Sequence, residues 1–441
     1  VALGSAVAGS AIILRKPKNM RFYLREGFVT VALSWILMSV IGCLPFVING
    51  DIPHFADALF EMISGFTTTG ATVVSDVEGL TKGSLFWRSF SHWIGGMGVL
   101  VFLLAIVPMA GGSHMNLMKA ESPGPSVGKL VPKVRQTAKY LYIIYFALTM
   151  IEVIFLLFGG MNLFEALTTS FGTAGTGGFA IWNDGFVSVS PYNQWVVTIF
   201  MLLFGVNFGF YFLILTGKLR DALKFEEVRI YFIIVIAAAV FIFINLRHFA
   251  LYAPAEGIRQ AFFQVASIIT TTGFASADFN LWPETSRTIL VLLMFIGACA
   301  GSTGGGIKVS RFIIACKSFI KEIISYLHPR SVKKIKIEGK PLEHETLRAT
   351  NVYFMTYMVI FAVSVLLVSI ENKDLVTNFA AVAATFNNIG PGLSLVGPMA
   401  NFGHFTDFTK YILMFDMLAG RLEIFPMMLL FCPAVWKRRR A

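Results

Sequence analysis

Residues 57–73 read Asp57-Ala58-Leu59-Phe60-Glu61-Met62-Ile63-Ser64-Gly65-Phe66-Thr67-Thr68-Thr69-Gly70-Ala71-Thr72-Val73. The apolar part is far shorter than the roughly 20 helical residues that cross a bilayer, and it stops at a glycine set among threonines. The pattern returns three times. Glu165-Ala166-Leu167 leads to Gly177-Gly178-Phe179-Ala180, and Gln260-Ala261-Phe262-Phe263 leads to Thr270-Thr271-Thr272-Gly273-Phe274-Ala275. Thr377-Asn378-Phe379 leads to Asn387-Asn388-Ile389-Gly390-Pro391-Gly392. Intervals of about a hundred residues are too long for a solenoid, whose periods are roughly 20 to 50 residues. They imply a fourfold-duplicated unit.

Working outward, each short segment lies between two long apolar runs. The eight runs fall near Phe28–Ile48, Leu85–Met109, Leu141–Phe158, Trp195–Leu215, Ile230–Leu246, Thr288–Ile314, Val352–Ile370 and Tyr411–Val435. Each is long enough to span the hydrocarbon core, so the expected unit is span, half-helix, loop, span. The 441 residues are 56% hydrophobic and only 14% charged, which excludes an ordinary soluble domain. The expected fold is an all-α polytopic membrane protein, with four such units in pseudo-fourfold order around a central pore.

Charge sorts the two faces. If the four loops face outward, most of the 36 Lys and Arg residues fall inside, in 15–25, 119–139, 218–229, 308–348 and 437–440, as short cytoplasmic loops require. Both termini are then cytoplasmic. The formal charge of +11 reflects this bias and some attraction to anionic lipid headgroups; no basic face on a soluble domain suggests nucleic acid. Cys43, Cys299, Cys316 and Cys432 are scattered in apolar spans without paired spacing and read as small core residues. The opening segment, 1–25, reads as the end of an apolar helix whose N-terminal part is missing, followed by a basic linker. Residues 26–110, 111–218, 219–320 and 321–441 then carry the four repeats with their linkers.

Non-helical backbone at membrane depth must be buried in protein or line water, so four loops converge on an axis. Their carbonyls can replace an ion's hydration shell without adding net charge. Glycine supplies the positive φ that turns carbonyls inward, and the hydroxyls of Thr67–Thr69 and Thr270–Thr272 either add ligands or brace the loops. Half-helix C-termini pointing at the ring favour a cation. In the second loop Gly175 offers a competing register; Gly178 is preferred because Gly178-Phe179-Ala180 matches Gly273-Phe274-Ala275. Asp57 and Glu165 sit where a carboxylate caps a half-helix. Glu152 and Asp416 lie within spans, where a functional role and a polar contact with a bundle partner are equally good readings. No nucleophile–base pair or metal spacing suggests an enzyme, and His92 and His344 read as interfacial or solvated.

The sixth run is interrupted by Gly297-Ala298-Cys299-Ala300-Gly301-Ser302-Thr303-Gly304-Gly305-Gly306. At roughly 1 kcal/mol per glycine relative to alanine, this stretch cannot stay helical. A phosphate-binding loop needs Lys and a hydroxyl directly after the last glycine, and Gly306-Ile307-Lys308-Val309 has neither. Arg421, deep in the eighth run, must face protein or water, because lipid insertion costs at least about 2.5 kcal/mol.

With Trp93-Ile94-Gly95-Gly96-Met97-Gly98, Glu121-Ser122-Pro123-Gly124-Pro125 and Gly420-Arg421-Leu422-Glu423-Ile424 added to these motifs, the chain resembles the Trk/Ktr/HKT superfamily of potassium transporters, most closely its bacterial TrkH/TrkG pore-forming branch. The resemblance runs from about Arg25 to the C-terminus. It implies K⁺ uptake across the bacterial inner membrane, with a filter at Thr68, Thr69, Gly70, Gly177, Gly178, Thr271, Thr272, Gly273, Asn388, Ile389 and Gly390. It further implies an intramembrane gate at Gly301, Ser302, Thr303, Gly304, Gly305, Gly306 and Lys308, with Arg421 pointing into the pore. A structural ion pair of Arg421 with Glu423 is the competing expectation. The implied partners are a second copy of the chain and a TrkA-like cytoplasmic ring binding NAD(H) or ATP; no cofactor is expected on this chain itself. A H⁺- or Na⁺-coupled symporter is the alternative, although four units of one orientation lack the inverted repeats usual in such folds.

Overall fold

The computed structural model describes residues 1, 4–5, 9, 24–98, 134–329 and 334–436. The linker motif at 121–125, the basic segment at 10–23, the rest of the second run beyond Gly98 and the C-terminal 437–441 lie outside the described residues. The described chain is helical apart from its loops and one short hairpin, Lys336–Ile337 against Lys340–Pro341.

Among the described residues, four outer helices are long and apolar enough to cross a membrane: Leu24–Asn49, Val134–Phe158, Glu226–His248 and His344–Val368. Each is followed by a shorter pore helix: Phe55–Phe66, Leu163–Gly175, Pro254–Ile269 and Leu375–Phe386. The outer helices expose one side and bury the other, as lipid-facing helices do; Phe146, Ile154, Ile236 and Leu366 point outward. The pore helices are buried along nearly their whole length. Local chemistry sets where two of them begin. Asn162 and Glu165 form a reciprocal capping box, the cap expected of Glu165, and Asp374 accepts the Thr377 N–H at 2.9 Å. Asp57 lies in the first turn of its helix, where its charge opposes the positive end of the dipole; it makes no side-chain capping bond and pairs with Lys410 at 2.5 Å, tying the first pore helix to the last repeat.

The second helix of each repeat departs from the uninterrupted span expected from hydropathy. The first ends at Gly96. The second breaks between Phe204 and Phe208 with a bend of 89°. The third stops at Met294 and resumes at Val309, and the fourth breaks between Arg421 and Phe425. Glycine at Gly96, Gly205, Gly297 and Gly420 accompanies every break.

Candidate functional site

The four pore helices end in loops of one geometry. Thr68, Thr176, Thr271 and Asn388 have φ of 55°, 54°, 57° and 54°, and two residues later Gly70, Gly178, Gly273 and Gly390 have φ of 80°, 78°, 84° and 95°. Gly175 is the last residue of its helix, so the equivalent glycine of the second loop is Gly178. Positive φ is costly for any residue with a Cβ, which makes the glycine at the second position necessary. At the first position the surrounding structure holds three threonines and an asparagine in the same region.

The loops close a ring. A Cβ on Gly70 would overlap the Gly177 carbonyl oxygen, one on Gly178 the Thr272 oxygen and one on Gly273 the Ile389 oxygen; on Gly390 it would lie 2.7 Å from the Thr69 oxygen. Each glycine thus abuts the carbonyl that precedes the next loop's glycine, and the fourth returns to the first. All four glycines line one open vestibule. Pore-helix C-termini lie at the loops, which adds partial negative charge around the ring.

The threonines divide their labour. In the first loop the Thr67 hydroxyl donates to the Ile63 carbonyl at 2.7 Å and sits 2.8 Å from the Thr69 hydroxyl. In the third, Thr270 donates to Ala266 at 2.6 Å and sits 2.8 Å from Thr272. The outer hydroxyls of each triplet therefore brace the bend. The middle ones, Thr68 and Thr271, turn elsewhere.

Behind the ring stand residues that hydropathy alone does not single out. Glu61 and Arg88, both buried, pair at 2.8 Å, and Glu61 also accepts the Thr72 hydroxyl at 2.9 Å and the Val73 N–H at 3.0 Å. The Arg88 guanidinium stacks 4.1 Å from the Phe179 ring, so one ion pair braces two loops. His92 is fully buried rather than interfacial. Its Nδ1 meets the Gly65 carbonyl at 2.7 Å and its Nε2 accepts the Phe179 N–H at 3.2 Å, which requires a neutral ring with the proton on Nδ1. The available sequence signal for Glu61 and Arg88 is a charged residue inside an apolar segment.

The glycine-rich interruption lies directly beneath the third and fourth loops. A Cβ on Gly304 would stand 2.9 Å from the Thr270 oxygen, and one on Gly305 would stand 2.9 Å from the Asn387 oxygen. Although poor in helix propensity, the segment is well hydrogen-bonded. Cys299 N–H donates to Gly205 and Phe208 N–H to Gly301, both at 3.0 Å, docking the loop on the break of the fourth span. Glu227 Oε1 accepts Ala300 N–H at 2.8 Å and Ser310 N–H at 2.9 Å, one from each end of the loop. Buried Lys308 donates to the Gly304 and Gly305 carbonyls.

Arg421 joins these parts. Its guanidinium donates to the Thr68 hydroxyl at 3.1 Å, the Thr303 carbonyl at 2.8 Å, and the Gly95 and Gly96 carbonyls at 2.5 and 2.7 Å. Glu423 pairs with Arg311, whereas Arg421 contacts the first loop and the glycine-rich segment, the arrangement the resemblance implied over the competing pair with Glu423.

Four re-entrant loops closing one ring within a bundle of apolar helices define a multi-pass membrane transport protein. Over residues 1–438 the sequence matches the TrkH family, described as a cation transport protein. It is 38% identical over 424 residues to the Trk system potassium uptake protein TrkH of Escherichia coli (strain K12), covering 94% of this chain and 86% of that one. It is 32% identical over 438 residues to TrkG of the same organism, covering 98% and 89%. The crystal structure of the potassium transporter TrkH from Vibrio parahaemolyticus superposes with a TM-score of 0.84 at 35% identity, covering 96% of this chain and 88% of that one. The chain belongs to the TrkH family of cation transport proteins.

Proposed function

We propose that this chain is the pore-forming subunit of a bacterial inner-membrane potassium uptake system, with both termini cytoplasmic. The reading rests on one observation, the closed ring in which each of Gly70, Gly178, Gly273 and Gly390 abuts the neighbouring loop's carbonyl. Such a ring offers oxygen ligands from uncharged backbone, and the relatives named above are potassium uptake proteins. In this reading K⁺ is stripped of water among Thr68, Thr69, Gly70, Gly177, Gly178, Thr271, Thr272, Gly273, Asn388, Ile389 and Gly390. Residues Gly301–Gly306, Lys308 and Arg421 form the gate beneath, and the Arg421 guanidinium opposes idle conduction. A nucleotide-binding TrkA-like ring on the cytoplasmic face and a second copy of the chain complete the assembly.

One observation supports a proton-coupled version. Glu152 is fully buried in an outer helix, and among the described residues no cation pairs with it. Uptake of radiolabelled rubidium into proteoliposomes, with K⁺, Na⁺ and Cs⁺ as competitors and with or without a pH gradient, tests both. K⁺-competed uptake independent of the gradient is expected. Absence of K⁺ competition overturns the filter, and strict gradient dependence replaces the conduit with a symporter.

A further inference from the structure

The residues that follow the ring glycines face the outer vestibule, whereas those two places before them do not. They face the gate. Gly305 N–H donates to the Thr271 hydroxyl at 2.6 Å, and Arg421 donates to the Thr68 hydroxyl at 3.1 Å. The Asn388 Cβ is 2.8 Å from where a Cβ on Gly305 would be. Asn388 Nδ2 donates to the Thr69 hydroxyl and the Met417 carbonyl, both at 2.9 Å. Since the Met417 carbonyl only accepts, the amide orientation is fixed, and its Oδ1 is left fully buried without a hydrogen-bond donor. A buried oxygen without a donor is unfavourable unless something else satisfies it. Thr176, the fourth equivalent, donates its hydroxyl to the Gly175 carbonyl at 2.6 Å, a bond that leaves its oxygen lone pairs unused.

We propose that Thr68, Thr176, Thr271 and Asn388 form a second cation site on the inner side of the carbonyl ring, and that the closed gate fills it with its own donors. This rests on the filter reading. The site offers three hydroxyl oxygens and one amide oxygen, a set suited to a dehydrated monovalent cation. In the closed state the Arg421 guanidinium and the Gly305 N–H take the lone pairs that the cation would use. Gate closure and cation occupancy are then mutually exclusive, so the transported ion itself favours opening. A ligand shifts a two-state equilibrium only through such differential affinity.

Hydrogen exchange of residues 298–309 in the full chain in nanodiscs, at equal ionic strength in K⁺, Na⁺ or N-methylglucamine, reads the gate directly. Exchange of the Gly304–Gly306 amides is expected to be faster in K⁺ than in N-methylglucamine by at least about five-fold, the low end of ordinary coupling between sites. Thr271→Ser keeps the K⁺ effect, and Thr271→Val, which lacks the acceptor for Gly305 N–H, exchanges fast in all three cations. Equal wild-type exchange in all three cations overturns the inference, and this comparison needs no variant. If exchange is equal while Gly70→Ser still changes K⁺ over Na⁺ selectivity, the filter stands and only the inner site fails. If Gly70→Ser changes nothing, the inference falls with the filter.

Discussion

Glu423 pairs with Arg311, the third residue of the helix that leaves the glycine-rich segment. The Arg311 guanidinium also stacks 3.9 Å from the Tyr353 ring. The pair holds a strained place in the chain. Glu423 has φ of 56°, and Ile424 has φ of 70° and ψ of −58°, a region a β-branched residue rarely enters. Glu423→Gln is therefore expected to lower stability by about 1–3 kcal/mol, the range for losing a charge-assisted hydrogen bond in a partly buried pair. Arg311→Met combined with Glu423→Leu should recover part of that loss. Thermal melting in detergent checks both, and an unchanged melting temperature in Glu423→Gln removes the pair's structural role.

Gly70→Ser meets two obstacles. The φ of 80° disfavours any side chain, and the new Cβ runs into the Gly177 carbonyl. Strain of this kind costs about 1–3 kcal/mol, and relief requires the carbonyl to move. The variant is expected to admit Na⁺ alongside K⁺. Ion competition against rubidium uptake measures this, and an unchanged competition order would exclude Gly70 from the selective aperture.

Glu227 anchors both ends of the glycine-rich segment through one carboxylate oxygen. Glu227→Ala leaves the Ala300 and Ser310 amides without that acceptor, at about 1–3 kcal/mol each. Glu227→Gln can keep both bonds. Basal rubidium flux is expected to rise in the alanine variant and to stay near wild type in the glutamine variant. Equal flux in all three chains would show that loop position does not depend on this anchor.

Asp374 caps the fourth pore helix from outside the spans. The Thr377 hydroxyl, donating at 2.5 Å, and the Thr377 N–H hold its pKa below the ordinary aspartate value of 3.8. A depressed folded-state pKa contributes stability above the unfolded value, and that contribution is lost as pH falls through the folded one. Asp374→Ala should melt below wild type at neutral pH, and the difference should shrink once pH drops below 3.8. A gap that persists undiminished at lower pH would assign the effect to packing.

The loops were readable from sequence because repetition marks them. A glycine two residues after an αL residue recurs at Gly70, Gly178, Gly273 and Gly390, and three of the four segments share a polar–Ala opening. The dense interruption at 297–306 was readable from helix propensity alone. The breaks at Gly205-Val206-Asn207 and Leu422-Glu423-Ile424 were not. One glycine among apolar residues is tolerated in a span, and the Ile424 conformation is imposed by its surroundings. Glu61, Arg88 and Glu227 escaped, and His92 was read as interfacial, for a related reason. Their meaning lies in contacts such as Arg88 with Phe179 and Glu227 with Ala300, between residues far apart in the chain, and periodicity carries no record of those.

The ring is built from four dissimilar quarters of a single polypeptide, with glycine-before-phenylalanine in two, glycine-before-alanine in one and glycine-before-proline in another. A homotetramer would copy any substitution into every quadrant at once. Here each quadrant can drift by itself while the other three hold the aperture nearly intact. If the ring is the filter proposed above, ion preference can be retuned in small steps, and the aperture has no obligation to be round.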